Sequence, residues 1–544
     1  MRRNVEMAAS EEEKVSIPYY IIISFLTIFA IGPQYFLNLA YTVSQGIVQT
    51  GLNISSRNLL TPSIISNLAF SLGVPLGPVF SRKLGLRKNY LTFIFVFLCG
   101  SVIGSMSFNL VFFSLGRVIQ GLSAGFLFLT ILPVSLRSFP NKIRNTFLLM
   151  VIIGLFGASA VGAFFGSISL SVDAWRWLFY LSVLSSILCL IVGFLGLPKH
   201  DEHANPSHPI NFKAMAILVL AYVVLAFPLC QLIDKGLGSA EVWPLFTIGL
   251  VLLSLFVYFD QQADLPIVPF KTLLGTKPIS GTVMAVASHA TLVVAIAGMN
   301  GFLRNNRDLP IHYLAHFYLF FYLGIVITAI LKTLLYDALG AGKLGLIGSL
   351  AVFYVGFQWR VIGPHASLSS LYFQIAILGA GVSMVLVSGA LGTALAGDIH
   401  KASYRSATLH TIRNFVGAIA SPFIGWYLTK QNAINYESIR GAVDSNNPEI
   451  HRELITQIQS FVQQGLSLDQ SKSMAAYNMV ANAKKSAILG AYHNIFLFMM
   501  ILSVIMFLAS IGKTVTGKGT SLVQKKKVLP SHQVQPAVEA PSES

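Results

Sequence analysis

Charge is scarce in this chain. Asp, Glu, Lys and Arg together make up 11% of its 544 residues, against roughly 25% in soluble domains, and the acids number only 21. Nothing this apolar folds as an ordinary globular domain in water: hydrophobic residues reach 54% and the mean hydropathy is +0.69. Cysteine is nearly absent too. Cys99, Cys189 and Cys230 each lie in an apolar run and form no CxxC, so neither a disulfide framework nor a metal site is expected, and the bland reading of three small buried hydrophobes suffices. The surplus of 37 basic residues over 21 acids is spread through short loops rather than gathered in one patch, which argues against a nucleic-acid surface. No cofactor motif stands out.

What the chain has in quantity is long apolar runs. A bilayer-spanning helix needs about 20 such residues, and fourteen candidates recur, near 17–41, 58–80, 90–109, 111–136, 146–168, 175–197, 212–233, 242–259, 278–302, 311–335, 343–361, 367–396, 407–429 and 486–512. The first is longer than the ~7–15-residue core of a signal peptide, so it reads as a retained helix. The pattern predicts an all-α membrane protein in five parts: a polar segment 1–16, six spans over 17–197, an inserted pair with linkers over 198–277, six spans over 278–512, and a disordered tail 513–544. The last six spans enclose a mostly polar loop, 430–485, whose HRELITQIQSFVQQG reads as an amphipathic helix.

Basic residues orient the array. Arg82, Lys83, Arg87 and Lys88, then Arg137, Lys142 and Arg144, then Lys401 and Arg405 all follow even-numbered spans, whereas Phe108-Asn109 after the third carries no charge. Positive residues stay inside, so both termini are expected in the cytoplasm, the multi-pass chain in a plasma (inner) membrane, and 430–485 outside. A weak internal echo joins RNTFLLMVIIGLFGASAVGAFFG, from Arg144, to RSATLHTIRNFVGAIASPFIG, from Arg405, as two related halves would.

Within the spans, GRVIQGLSAG draws attention. Arg117 is the only charged residue between Lys88 and Arg137, and Gln120, Gly121 and Gly125 share its helical face. A lone Arg costs at least ~2.5–3.5 kcal/mol at the bilayer centre and normally faces a bundle interior or a wet cavity; here a hydrated central chamber is expected, against the alternative of a structural anchor. Gly121-x-x-x-Gly125 permits close helix approach, and Gly157, Gly162 and Gly166 stud the fifth span in the same way. None of the 21 acids falls securely inside a span, so His289 in MAVASHATLVV is the candidate proton carrier, a neutral hydrogen-bonded histidine being its alternative. Tyr35, Asn38 and Tyr41 line one face of the first span, Asn300 ends the ninth, and Arg413 and His410 stand near the cytoplasmic end of the thirteenth, a position that accounts for Arg413.

These segments resemble those of a known family. GRVIQGLSAG looks like the fourth-helix signature of major facilitator superfamily transporters; GPVFSRKLGLRK, with Gly77, Arg82, Gly85, Arg87 and Lys88, resembles their loop signature between helices two and three. VGAFFGS at 161–167 is similar to the fifth-helix antiporter signature, with Ala163 in the proline place and Ser167 in the last glycine place. DAWRWLFYLS, with Trp175 and Arg176, resembles the start of the sixth helix in the fourteen-helix drug:proton antiporters. The resemblance implies a transporter of small amphipathic molecules, two six-helix bundles with helices seven and eight inserted between them, and export driven by protons. Some members in double-membraned bacteria work with a periplasmic adaptor and an outer-membrane channel, and the resemblance leaves such partners open. The chain departs from the pattern where Ser81 or Arg82 replaces the loop's usual Asp and where GPQYFLNLAY lacks the first helix's acid, so a coupling scheme built on those carboxylates does not carry over. An importer or facilitator of a polar metabolite is the rival within the fold. A membrane-embedded enzyme would need a convergent cluster, and no HxxxD, HExxH or paired-acid motif supplies one; a sensor has only the loop 430–485 in its favour.

Overall fold

The computed structural model describes residues 17–55, 58–199, 209–309, 311–397, 401–442 and 448–517. The expected terminal segment 1–16, residues 518–544 of the tail expected over 513–544, most of the polar linker after the sixth span and Asp398 lie outside the described residues. The start of that tail is not disordered, since the last helix runs on to Val515 with Lys513 buried. Every regular element among those described is helical: α1 (Tyr19–Leu52), α2 (Thr61–Leu84), α3 (Leu86–Ser105), α4 (Leu110–Ser138), α5 (Thr146–Ser171), α6 (Arg176–Gly196), α7 (Phe212–Lys235), α8 (Trp243–Gln261), α9 (Thr276–Asn305), α10 (Ile311–Arg360), α11 (Leu368–Ala394), α12 (Ala402–Ala442), α13 (Pro448–Gln463) and α14 (Leu468–Val515), with short 3-10 turns between some of them.

Twelve of these are long and apolar enough to cross a membrane. One of the twelve, α10, is two spans in a row: its helix breaks at Gly340, whose φ of 74° and ψ of 173° suit essentially no residue but glycine. The remaining span is α12, which is long enough but carries too many polar residues to register by hydropathy. Fourteen spans result. The same glycine geometry turns the chain at Gly85 between α2 and α3 (φ 79°, ψ 161°) and at Gly236 between α7 and α8 (φ 78°, ψ 162°). Gly85 and Gly340 each follow a leucine and precede Lys88 and Lys343 by three residues, so the same tight turn recurs at matching places in the two halves.

Packing repeats with that period. In the first half α2 lies on α4, α3 on α4 and α6, and α1 on α5; in the second, α10 lies on α11 and α14, and α9 on α12. Each pair maps onto its counterpart by a shift of eight spans, the relation two six-helix bundles should show. The bundles meet along two seams, α2 against α12 and α5 against the first arm of α10. The inserted pair is central in the chain but not in space: α7 seats on one seam, Tyr222 bonding Ser71 of α2 at 2.9 Å and its ring lying 5.5 Å from Phe415 of α12.

Glycines set how close the helices come. A Cβ on Gly121 would stand 2.2 Å from the carbonyl oxygen of Ser66, and one on Gly77 2.2 Å from that of Phe126, so α2 and α4 touch backbone to backbone. Gly162 and Gly166 do the same for α5 on α1, where the added atom would meet the carbonyl oxygens of Phe36 at 2.1 Å and Ala40 at 2.6 Å. Without a hydrophobic force between helices in lipid, such close van der Waals contact is what holds a bundle together.

The segment 430–485, expected as a loop with one short helix, is mainly helical. α12 runs on to Ala442, α13 covers the HRELITQIQSFVQ stretch, and α14 begins at Leu468, so the last two spans extend well beyond bilayer length and project from one face. A hydropathy pattern cannot reveal helix that stands in water.

Candidate functional site

Between the bundles lies a cavity of about 350 Å³, walled by α1, α4, α5, α9, α11 and α12. Its rim includes Arg137 at the end of α4, Arg144 just before α5, Leu395 just after α11 and Ala402 at the start of α12, so it opens on the face of the even-numbered loops. Its inner end reaches Tyr35 and His289, each near the middle of its helix. Sixteen residues of α1 precede Tyr35, about 24 Å at 1.5 Å per residue, close to the centre of a bilayer. Beyond this depth the passage is shut by one buried apolar cluster that both bundles share, including Val43, Ala160 and Ala163 from the first and Val294, Ile296 and Ile424 from the second.

Local irregularities shape the wall. Residues Met150–Phe156 of α5 wind as a π-helix, and Val151, Leu155 and Phe156 from that stretch face the cavity. Wide turns of this kind concentrate at functional sites. Pro133 of α4 lies on the wall as well.

The inner end of the cavity is where its polarity collects. Arg413 is 6% exposed; its Nη2 donates to the Tyr35 hydroxyl at 3.3 Å and to Asn414 Oδ1 at 3.1 Å, and Nε has no protein partner. The guanidinium carbon stands 5.7 Å from the Phe128 ring centroid, and His410 meets the same ring edge-on at 5.0 Å. His289 faces the group from α9, against Gly417 of α12. No Asp or Glu lies on the wall among the described residues.

Of the residues singled out in the sequence, Tyr35 and His289 line this cavity, while Arg117, Gln120 and Asn38 come together elsewhere. Arg117 is fully buried inside the first bundle. Its Nη1 donates to Gln120 Oε1 at 3.0 Å and its Nη2 to Asn38 Oδ1; Gln120 in turn donates to Ser101 at 2.9 Å, and Asn38 to Asn67 at 2.6 Å. One network thus joins α1, α2, α3 and α4. The hydrated chamber expected at Arg117 is therefore not where the residue sits. It lies eleven residues beyond Phe128 along α4, about 16 Å toward the sealed face, where side chains rather than water surround it. Asn300 is buried in α9 away from the wall, with no protein partner for its Oδ1.

The remaining motif residues hold helices in place. Arg87 donates to the carbonyl of Leu197 at 2.6 Å, closing the end of α6, and stacks 5.0 Å from Phe194; Arg176 donates to that of Ser107 at 2.7 Å and lies 4.4 Å over Trp175. Arg82 donates only to the carbonyl of Pro78, at 3.3 Å, and Lys88 is exposed. Trp175 sets its indole against Gly51 of α1 and its edge on Phe113 and Phe179. Gly125 repeats the contact of Gly121 against Phe70, and Gly157 receives the ring of Tyr322 across the seam.

Two functional candidates escaped the sequence. Arg413 is not an end residue: α12 starts at Ala402, so the side chain is eleven residues, about 16 Å, inside. The signal was present in the polar face of RSATLHTIRN, which lines the cavity and makes the span appear to begin too late. Lys332, also fully buried, donates to the carbonyl of Met384 at 3.1 Å and has no carboxylate partner among the described residues.

Known proteins bear on this architecture. The family model described as Major Facilitator Superfamily matches residues 20–425. The uncharacterised MFS-type transporter YubD of Bacillus subtilis (strain 168) is 31% identical over 428 residues, covering 78% of this chain and 83% of its own. The quinolone resistance protein NorB of Staphylococcus aureus (strain MRSA252) is 29% identical over 188 residues, covering 33% of this chain and 40% of its own. Among solved structures, a peptide transporter POT in complex with sulfate shares the fold at a TM-score of 0.56 and 15% identity, covering 95% of this chain and all of its own. A bacterial homologue of the lysosomal transporter Spinster, inward-facing and unoccupied, does so at 0.51 and 13%, covering 93% of this chain and all of its own. Paired bundles around a cavity sealed at one end, together with a family match over most of its length, place this multi-pass membrane chain in the major facilitator superfamily of transporters.

Proposed function

We propose that the protein is a secondary active transporter that exports small amphipathic compounds across a plasma (inner) membrane by alternating access, with protons as the driving ion. The observation that carries the reading is the cavity itself: it lies between two related bundles, reaches the bilayer centre, opens on one face and ends on the other among buried apolar residues that both bundles supply. Rocking the bundles about such a site exchanges the open and closed faces. The positive even-numbered loops make the open face cytoplasmic in this reading, with both termini on that side. Walls of Leu, Phe and Val suit an apolar cargo body, as pockets for small molecules are mostly apolar with a few fixed polar groups.

His289 is the proton carrier we favour, because it stands at the inner end of the cavity and no carboxylate shares the wall among the described residues. Purified protein in proteoliposomes, given an imposed pH gradient and a panel of labelled amphipathic compounds, tests the reading. Gradient-dependent cargo movement with a counterflow of protons is expected. Cargo movement without proton movement would make the protein a facilitator, and failure to move any compound would count against transport through this cavity.

A further inference from the structure

Arg413 is the one charge held at the inner end of this cavity, and the protein does not neutralise it. Both of its protein hydrogen bonds leave from Nη2, to the uncharged oxygens of Tyr35 and Asn414. Nε is buried without a partner, and the aromatic face of Phe128 lies beside the guanidinium. His410 and His289 are the other titratable side chains around it, and no acid from any of the six surrounding helices faces the space among the described residues. The rim carries two further arginines, Arg137 and Arg144.

A buried charge in lipid is normally paired or marks a ligand path. Arg117 shows the first solution: it is fully buried, held by Gln120 of its own helix and Asn38 of α1, and although its Nε is likewise without a protein partner, it lines no part of the cavity. Arg413 also makes two hydrogen bonds, but both leave from Nη2 and the side chain lines the cavity, so Nη1 takes no partner among the described residues. A guanidinium presents donors in a fixed planar fork that fits a carboxylate, sulfonate or phosphate two-pronged, and low-dielectric walls of one sign focus the field on an incoming counter-charge. The rest of the wall is apolar, with Leu132, Val151, Leu155, Leu386 and Val387 on it.

We propose that the cargo is an amphipathic organic anion, with one carboxylate-like group held by Arg413 and an apolar body lying against the leucine-rich wall. The inference rests on transport through the cavity and adds the sign of the cargo's charge. The two seam-facing groups give the anion a switching role: Tyr35 belongs to the first bundle and Arg413 to the second, so an anion that takes over the guanidinium loosens one of the polar ties between them. An inside-negative membrane potential drives a single negative charge outward, in keeping with export.

A matched pair of permanently charged, membrane-impermeant probes separates the readings: 2-naphthalenesulfonate and 2-naphthyltrimethylammonium, which share an apolar body and differ in sign. Flux of each is followed in proteoliposomes holding the full chain, and binding is followed in nanodiscs. The sulfonate should be bound and moved at least tenfold better than the ammonium. Arg413→Gln should abolish that preference, and Arg413→Lys should restore part of it, while thermal unfolding shows each variant still folded. Equal or better movement of the ammonium would overturn the anion inference and leave transport standing. Sulfonate transport unchanged in Arg413→Gln would remove Arg413 from recognition. If neither probe binds or moves, the inference fails on its own test, and labelling of a cysteine placed at Leu391 by an impermeant maleimide shows whether the open cavity fails with it.

Discussion

Two arginines divide this molecule between the interior of a bundle and the seam between bundles. Arg117 and Arg413 are both buried within spans, and neither faces a carboxylate among the described residues. Arg117 is enclosed by Asn38 and Gln120 and by the glycine contacts that fix α2 on α4. Arg413 reaches across to Tyr35 of the other bundle and lines the open cavity. The lesson is that a charge inside a span reveals its role through the neighbours that compensate it. Partners within one bundle make it a fastener; partners on a surface that must part make it a point of recognition.

The sharpest way to break that distinction is to compare glycines from the two settings. Gly162→Leu pushes a side chain into the Phe36 carbonyl, which cannot move without parting α1 from α5, so folded protein and flux should both be lost, as read by detergent-resistant yield and proteoliposome transport. Survival of either would mean that the interior is not rigid. His289→Gln comes next. Flux should persist, but its dependence on pH should flatten, and an unchanged profile would take the residue out of coupling.

Gly157→Ala probes the seam instead. Its new methyl would meet the edge of the Tyr322 ring at 2.7 Å, a flexible neighbour on the opposite bundle, so a stability loss of about 1–3 kcal/mol with a changed transport rate is expected from thermal unfolding and flux. The smallest effect belongs to the rim. Arg137 Nη2 donates to Ser403 at 2.9 Å and Asn145 to Asp337 at 2.7 Å, each joining the bundles at the open face. Removing either tie by Arg137→Ala or Asn145→Ala should alter cavity labelling by less than about fivefold, the reach of an exposed contact worth at most ~1 kcal/mol.

Much of this was legible in the sequence, because what fixes it is local. Apolar run length gives the spans, and glycine spacing in GRVIQGLSAG and ASAVGAFFG gives the backbone contacts of α4 on α2 and α5 on α1. Tyr35 and His289 were found by placing polar atoms inside apolar helices. The roles of the two arginines were not legible, since the environment of each depends on helices remote in the chain: Arg117 on Asn38, and Arg413 on Tyr35, which lies 378 residues away. Polarity that faces a cavity also disguised α12, whose wet side resembles the end of a span. The hairpin of α12 and α14 beyond the membrane was hidden for the opposite reason, since water-exposed helix needs no apolar run.

The account stands or falls on measuring flux and thermal unfolding side by side in Arg117→Gln and Arg413→Gln. Arg413→Gln should unfold close to the parent's temperature yet move little or no cargo. Arg117→Gln, which leaves buried partners of a charged group unsatisfied at a cost of about 1–3 kcal/mol, should unfold several degrees earlier while each folded molecule still transports. Equal loss of transport and stability in both variants, or flux retained in Arg413→Gln alone, would contradict it.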